Sequence, residues 1–459
     1  MSERGVIARH AGTVLAGQLA VMAYGMTDTI VAGRYAPEAL AALSVGSAVY
    51  ITVFVAMMGI LQALLPVWAE LHGAGRGHEA ALGRSVRQAL YLAAIASIAG
   101  VAGLLAPGFL LDATGVPLAL QGEVRRYLAV LALALPAALL FRMYSTLNQS
   151  LGKPKIVTWL QIGSLGLKVP LTIWFAFGGL GLPAMGAVGC AWATVVVSIA
   201  LLVVAVWLLR TDDLYRPYAI WSRIEPPDWA AIGRFARIGV PAGLTIMVEV
   251  TSFTLMALFV SRQGTVAAAA HQIVSNLAAV MFMTPLSLAI ATSARVSYWL
   301  GAGQPKQARA VIRTGFRIGL TLAVAMAATL ALTRHGIAAI YTSDPAVVAV
   351  ATGLLGWLAL FHLGDATQGL CVFVLRCYRV AVLPLVLYSL LLWGVGLGGG
   401  YLLAYVGIGP WAAMHTPAAF WIAATVSLAL LALILPVILW RAARRWPPPG
   451  APAHAQPAS

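Results

Sequence analysis

Long apolar runs separated by short polar clusters repeat along the whole chain. Runs long enough to cross a bilayer occupy 11–33, 42–69, 88–111, 127–149, 156–178, 184–209, 238–261, 267–294, 316–341, 346–375, 380–406 and 410–440. A spanning segment must satisfy its own backbone polar groups, so each of the twelve is predicted as an α-helix. No ten-residue alternation suggests a barrel instead. The longest polar interruption, 210–237, falls after the sixth run, and its Pro226-Pro227-Asp228 predicts a turn followed by a helix start.

The pattern also repeats at long range. A shift of 228 residues without gaps superposes Arg34 on Arg262, Ala41 and Ala42 on Ala269 and Ala270, Ser47 on Ser275, Ala63 on Ala291, and Gly73-Ala74-Gly75 on Gly301-Ala302-Gly303. Two six-helix halves follow, and because six is even both enter the membrane the same way round. The expected fold is therefore an all-α polytopic membrane protein whose two lobes are related by a pseudo-two-fold axis along the membrane normal. Residues 1–209 form the N-terminal lobe, 210–237 the cytoplasmic crossover, 238–445 the C-terminal lobe and 446–459 a disordered Pro-rich tail.

Composition agrees: 61% of the residues are hydrophobic and only 9% are charged, far from a soluble domain. The net charge of +15 would suggest nucleic acid in a soluble protein, yet 22 of the 29 Lys and Arg fall on the side that holds the N-terminus. That asymmetry is the positive-inside pattern, so both termini are expected in the cytoplasm, and nucleic-acid binding has no support. Cys190, Cys371 and Cys377 lie in or beside apolar runs and read as small buried hydrophobes.

Against this background the acids inside the spans stand out. Glu249 is the one charge in the seventh run, Asp28 lies in the first and Asp365 in the tenth. A mid-membrane acid costs about 2.5 to 3.5 kcal/mol to insert, so such groups usually face water or a partner and mark an ion or substrate path. Helical spacing puts His362 and Gln368 on the face of Asp365, and Thr245, Ser252 and Phe253 on that of Glu249. Carboxylates with hydroxyl and amide neighbours suit a hard monovalent cation, and a carboxyl in a low-dielectric site also suits proton exchange, so Na⁺ and H⁺ both remain open. Lys168 interrupts the fifth span: it either pairs with Asp28, takes the place of a bound cation, or snorkels to an interface. Arg142 is read as snorkelling to the cytoplasmic side.

Other patterns carry less. Gly394, Gly396 and Gly399 fit a dinucleotide fingerprint but lie in an apolar helix, where close helix packing is the better reading. No nucleotide-binding loop or zinc helix occurs, because Leu82 stands where His78-Glu79 would need a second His. Asn148-Gln149-Ser150 has the form of a glycosylation site on the wrong side of the membrane. His271 is read as a packing histidine.

Taken together, several short motifs resemble the multidrug and toxic compound extrusion transporters, in their NorM-like branch. They are Thr27-Asp28-Thr29-Ile30-Val31-Ala32-Gly33, Glu249-Val250-Thr251, Gly264-Thr265-Val266 leading to Ala270-His271-Gln272-Ile273, Pro285-Leu286-Ser287, Leu300-Gly301-Ala302-Gly303, Gly152-Lys153-Pro154, and Asp365 before Leu375-Arg376. The resemblance implies two lobes around a V-shaped cavity, and export of amphipathic, often cationic aromatic drugs and dyes in exchange for Na⁺ or H⁺. It implies a monomeric inner-membrane protein that is neither an enzyme nor dependent on a cofactor. Carried over, Glu249 and Asp365 match the acids of the C-terminal cation site, where Na⁺ would bind, and Asp28 matches the N-terminal acid. The branch usually has Asn where Lys168 stands, and Thr172 replaces a second Asn, which shifts the weight to the C-terminal lobe. A flippase for lipid-linked saccharides is the alternative of related architecture, but it would line its cavity with basic residues.

Overall fold

The structure, a computed structural model, describes residues 2–108, 117–179, 181–410 and 412–446. Apart from Trp446, the tail predicted to be disordered lies outside the described residues. Among the described residues, twelve helices are long and apolar enough to cross a membrane, which bears out the all-α fold and the number of spans. Their cores sit where the apolar runs are, but many run further. The first begins at Glu3 and the ninth spans Pro305–Tyr341, well before the apolar run at 316, because its opening turns are basic on one face and apolar on the other.

Two spans depart from plain α-helix. The second is interrupted between Pro37–Gln62 and Leu65–Gly73, where Pro66 has no N–H to continue the ladder. The eleventh opens as α-helix at Val382–Tyr388 and then winds with π-type bonds through Ser389–Gly398 and again through Leu402–Val406. That wider winding changes which glycines meet a neighbour. Gly394 faces open space, and Gly399 has nothing nearer than Ala423 at 4.0 Å. The close approach is at Gly400, where an added Cβ would sit 2.7 Å from the Phe420 ring. Of the three glycines read as packing positions, Gly396 is buried in ordinary contact with Ser427 and Ala424, while the close approach expected of Gly394 and Gly399 belongs to Gly400.

The chain divides into two compact units: Thr13–Gly243, and Leu244–Ser459 together with Met1–Gly12. In the first, the fourth span, Leu120–Ser150, is the centre, with 67% of its apolar window buried. Tyr127, Leu128, Leu135 and Leu139 on it pack with Trp68, Leu82 and Leu92. Arg142 also lies on this central helix and is only 8% exposed. It does not snorkel, because its helix is enclosed by others at that level. Asn148 is wholly buried and accepts a hydrogen bond from the Tyr215 hydroxyl at 2.8 Å.

Tyr215 belongs to the crossover, which is strapped to this unit. Asp212 caps a short 3-10 turn, Asp213–Tyr218, by accepting from the Leu214 N–H. The buried Arg87 donates through Nε and Nη2 to both oxygens of Glu225 (2.8 and 2.5 Å) and through Nη1 to the Ala219 carbonyl (2.7 Å). Gln88 donates to the Pro226 carbonyl and accepts from the Asp228 N–H, while Tyr91 donates to the Glu225 carbonyl. Asp228 then accepts from the Ala231 N–H as the seventh helix, Trp229–Ser261, begins. Arg87 counts as a cytoplasmic cation by sequence, yet its head is spent on this loop.

The Arg87 guanidinium holds the Glu225 carboxyl down from the usual 4.5 to about 2. A depressed carboxyl stabilises the strap at every pH above its unfolded value, and that contribution fades as pH falls through 4.5 towards 2. Hydrogen-exchange protection of 219–226, corrected for intrinsic rate, is expected to hold steady down to pH 4.5 and to fall below it. Glu225→Gln should start lower and show no such step; an identical step in the variant would remove Glu225 from the account.

In the second unit the eighth, tenth and twelfth helices, Thr265–Gly301, Pro345–Cys377 and Ala418–Arg444, form the core. Gly315 of the ninth lies against Thr292 and Gly364 of the tenth against Leu428, each too close for a Cβ without a shift. The first turns of the chain are fixed here as well: Arg295 donates to both oxygens of Glu3 (3.1 and 2.5 Å), and Trp299 Nε1 donates to the same carboxylate.

Candidate functional site

The two acids of the second unit come together from different helices. Glu249, half-buried on the seventh, and Asp365, 4% exposed on the tenth, lie within electrostatic reach of each other. Gln368, one turn on, donates to Asp365 Oδ1 at 3.0 Å, as the helical spacing predicted. Two further polar groups complete the cluster and were not read from the sequence. Arg376 is 2% exposed, its guanidinium 4.4 Å over the Phe373 ring, and its charge reaches Glu249. Its Nη1 has no partner among the described residues. By its charge and its closeness to Arg379, Arg376 reads in the sequence as a loop cation, but the tenth helix runs on to Cys377. Eleven residues after Asp365, three turns, Arg376 therefore returns to the face of that acid. Tyr388, buried at the start of the eleventh span, lies within reach of Glu249, Asp365 and Arg376.

One turn from the acids, Ser252, Phe253, Met256, Phe361, Leu392 and Trp421, among others, line a narrow aromatic cleft. Phe253, Phe361 and Trp421 meet edge to face at 5.6 to 6.2 Å. Trp421 Nε1 donates to His271 Nδ1 at 3.3 Å, which makes that nitrogen an acceptor and leaves the Nε2 proton for Ser275 at 3.2 Å. His271 is thus a satisfied packing histidine that fixes a wall of the cleft. Ser252 and Phe253 reach this cleft as their spacing suggested, and Thr245 is buried one turn before Glu249. His362 lines a different, smaller crevice with Thr284, Leu288 and Met326. Its Nε2 has no partner among the described residues.

The third acid belongs to the other unit. Asp28 is 9% exposed and faces Lys168, which is 1% exposed. Lys168 Nζ is 2.7 Å from Asp28 Oδ1 and 3.0 Å from Oδ2. Of the three readings open for Lys168, snorkelling is excluded by this geometry. Thr172 donates to Asp28 Oδ1 at 3.3 Å. Thr194 and the Cys190 carbonyl, which also touch the ammonium, carry no signal in the sequence because they come from the sixth helix.

Among the described residues, no three His, Cys, Asp or Glu side chains gather as a transition-metal site would need. The MatE family model matches the chain twice, over residues 14–174 and 241–402. The chain belongs to the MatE family. The two matches begin 227 and end 228 residues apart, the spacing of the internal repeat, and place one copy of the family unit in each half.

MatE relatives cover almost all of the chain. It is 37% identical over 450 residues to the probable multidrug resistance protein NorM of Aromatoleum aromaticum, spanning 96% of this chain and 95% of that one. It is 35% identical to the multidrug resistance protein PmpM of Pseudomonas aeruginosa, spanning 95% and 91%. The family resemblance read from the motifs is thereby borne out. Among solved structures, the eukaryotic MATE transporter AtDTX14 superposes with a TM-score of 0.85 at 20% identity, covering 96% of this chain and 98% of that one. The Vibrio cholerae MATE transporter VcmN in its bent form superposes with 0.82 at 17%, covering 96% and 97%. These likenesses are of fold.

Proposed function

We propose that this MatE protein is a cation-coupled antiporter of the bacterial inner membrane, with both termini cytoplasmic, that exports amphipathic cationic aromatic compounds. The observation that carries the reading is the meeting of Glu249 and Asp365 beside the cleft of Phe253, Phe361 and Trp421. Aromatic faces hold flat apolar cations, and carboxylates hold their charge. Two acids and the Arg376 guanidinium sum to one net negative charge, which one Na⁺ or H⁺, or one monovalent drug, neutralises. A cation arriving from outside and a drug arriving from inside then compete for the same charge, and competition for one site is exchange. The membrane potential adds about 2.3 kcal/mol per charge and 100 mV. The multidrug-resistance names of the relatives point the same way.

A flippase for saccharide pyrophosphates is the poorer reading, since Lys168 is engaged by Asp28 and Arg142 is buried. Dye efflux from loaded cells, with and without sodium and at two external pH values, tests the proposal. Efflux should follow one of the two gradients; efflux indifferent to both would refute antiport.

A further inference from the structure

The contacts of Lys168 amount to a cation site already filled by the chain itself. Its Nζ is held by both Asp28 oxygens at 2.7 and 3.0 Å, by Thr194 Oγ1 at 2.8 Å and by the Cys190 carbonyl at 3.1 Å. The ammonium has three protons and the site offers three acceptor groups, so none is left over. The cage is also polarised towards a positive centre. The Thr194 hydroxyl donates away, to the Cys190 carbonyl at 3.1 Å, and so turns a lone pair to Lys168. The Thr172 hydroxyl supports the carboxylate from the side at 3.3 Å. Two carboxylate oxygens, one hydroxyl and one carbonyl, drawn from the first and sixth helices, are the kind of oxygen set that hard cations take. Lys168 is 1% exposed and Asp28 nearly buried, which means the charge of either partner alone would be strongly unfavourable there.

We propose that Lys168 is a resident cation: it permanently occupies a monovalent-cation site in the Thr13–Gly243 unit and removes Asp28 from ion exchange. Loss of the ammonium converts the cage into a binding site for Na⁺. This concerns binding alone and stands whether or not the protein exports drugs.

The test is binding of radioactive Na⁺ to the purified chain at pH 8 with Glu249→Gln and Asp365→Asn already in place, so that the other acids are silent. With Lys168 intact, no Asp28-dependent binding is expected. Adding Lys168→Ala should create a site for about one ion per chain, and adding Asp28→Asn to that should abolish it. Lys168→Met, which fills the space without the charge, should bind none. Asp28-dependent binding while Lys168 is present would overturn the proposal, as would a folded, monodisperse Lys168→Ala protein that binds no Na⁺. Should Lys168→Ala fold only in sodium and not in choline, the ion has replaced the ammonium, as proposed; failure in both salts would count against an interchangeable cation.

Discussion

Glu249→Gln and Asp365→Asn are each expected to leave a pump-deficient host as sensitive to cationic dyes as the same host without the protein, while the protein remains in the membrane. Both substitutions keep the shape of the side chain and remove only its ability to ionise. The reason for so complete a loss lies in Arg376. With both acids ionised the cluster of Glu249, Asp365 and Arg376 carries one net negative charge. Removing either acid leaves Arg376 balanced by the other, and the cluster no longer calls for an ion. At an effective dielectric of about 20, a charge about 5 Å from a bound ion is worth about 3 kcal/mol, on the order of a hundredfold in affinity. Drug and coupling ion suffer together because they use the same charge. Full resistance in both variants, measured as inhibitory concentration beside a membrane blot, would end the coupling role.

Gly83→Ala is expected to be the most damaging small change in the Thr13–Gly243 unit. An added Cβ would lie 1.7 Å from the Tyr218 carbonyl oxygen and 2.9 Å from its carbon, backbone against backbone, with no flexible side chain to give way. Tyr218 cannot easily retreat, because its hydroxyl is tied to His72 Nδ1 and the next residue, Ala219, accepts from Arg87. Relief of the clash must lift the strap and break the Arg87 contacts together. Overpacking alone costs about 1 to 3 kcal/mol, and the lost hydrogen bonds to a charged group add to it. The thermal midpoint in detergent, followed by size exclusion after heating, should fall by several degrees. Gly233→Ala, with nothing within 4 Å of the added Cβ, is the control and should hold or rise slightly. A Gly83→Ala protein melting with the wild type would show that the strap yields freely.

Much of this architecture is legible in the chain because a bilayer imposes a simple rule: twenty apolar residues in a row have few other uses. The rule fails at helix ends, where opening turns such as those after Pro305 are amphipathic, and it misjudges cations near those ends. Arg376 beside Arg379 looks like a loop pair, and only the length of the tenth helix shows one to be buried. Arg142 was misread for a related reason: hydropathy does not say which helix is innermost. The acids were visible because charge in an apolar run needs a cause. Their companions Tyr388, Phe361 and Trp421 were not, since aromatics in apolar helices are ordinary. The Lys168 cage was half visible, as two opposite charges in one lobe; its carbonyl and hydroxyl depend on the sixth helix coming alongside.

The boundary between the two compact units falls inside helices and not in the crossover loop. Residues 229–243 lead the seventh helix but complete the preceding unit, with Gly239 and Gly243 seated against the backbone of Ile60 and Ala56. A six-helix fragment cut at the loop would bare an apolar trough along the second helix, and the complementary fragment would lack the opening turns that carry Glu3.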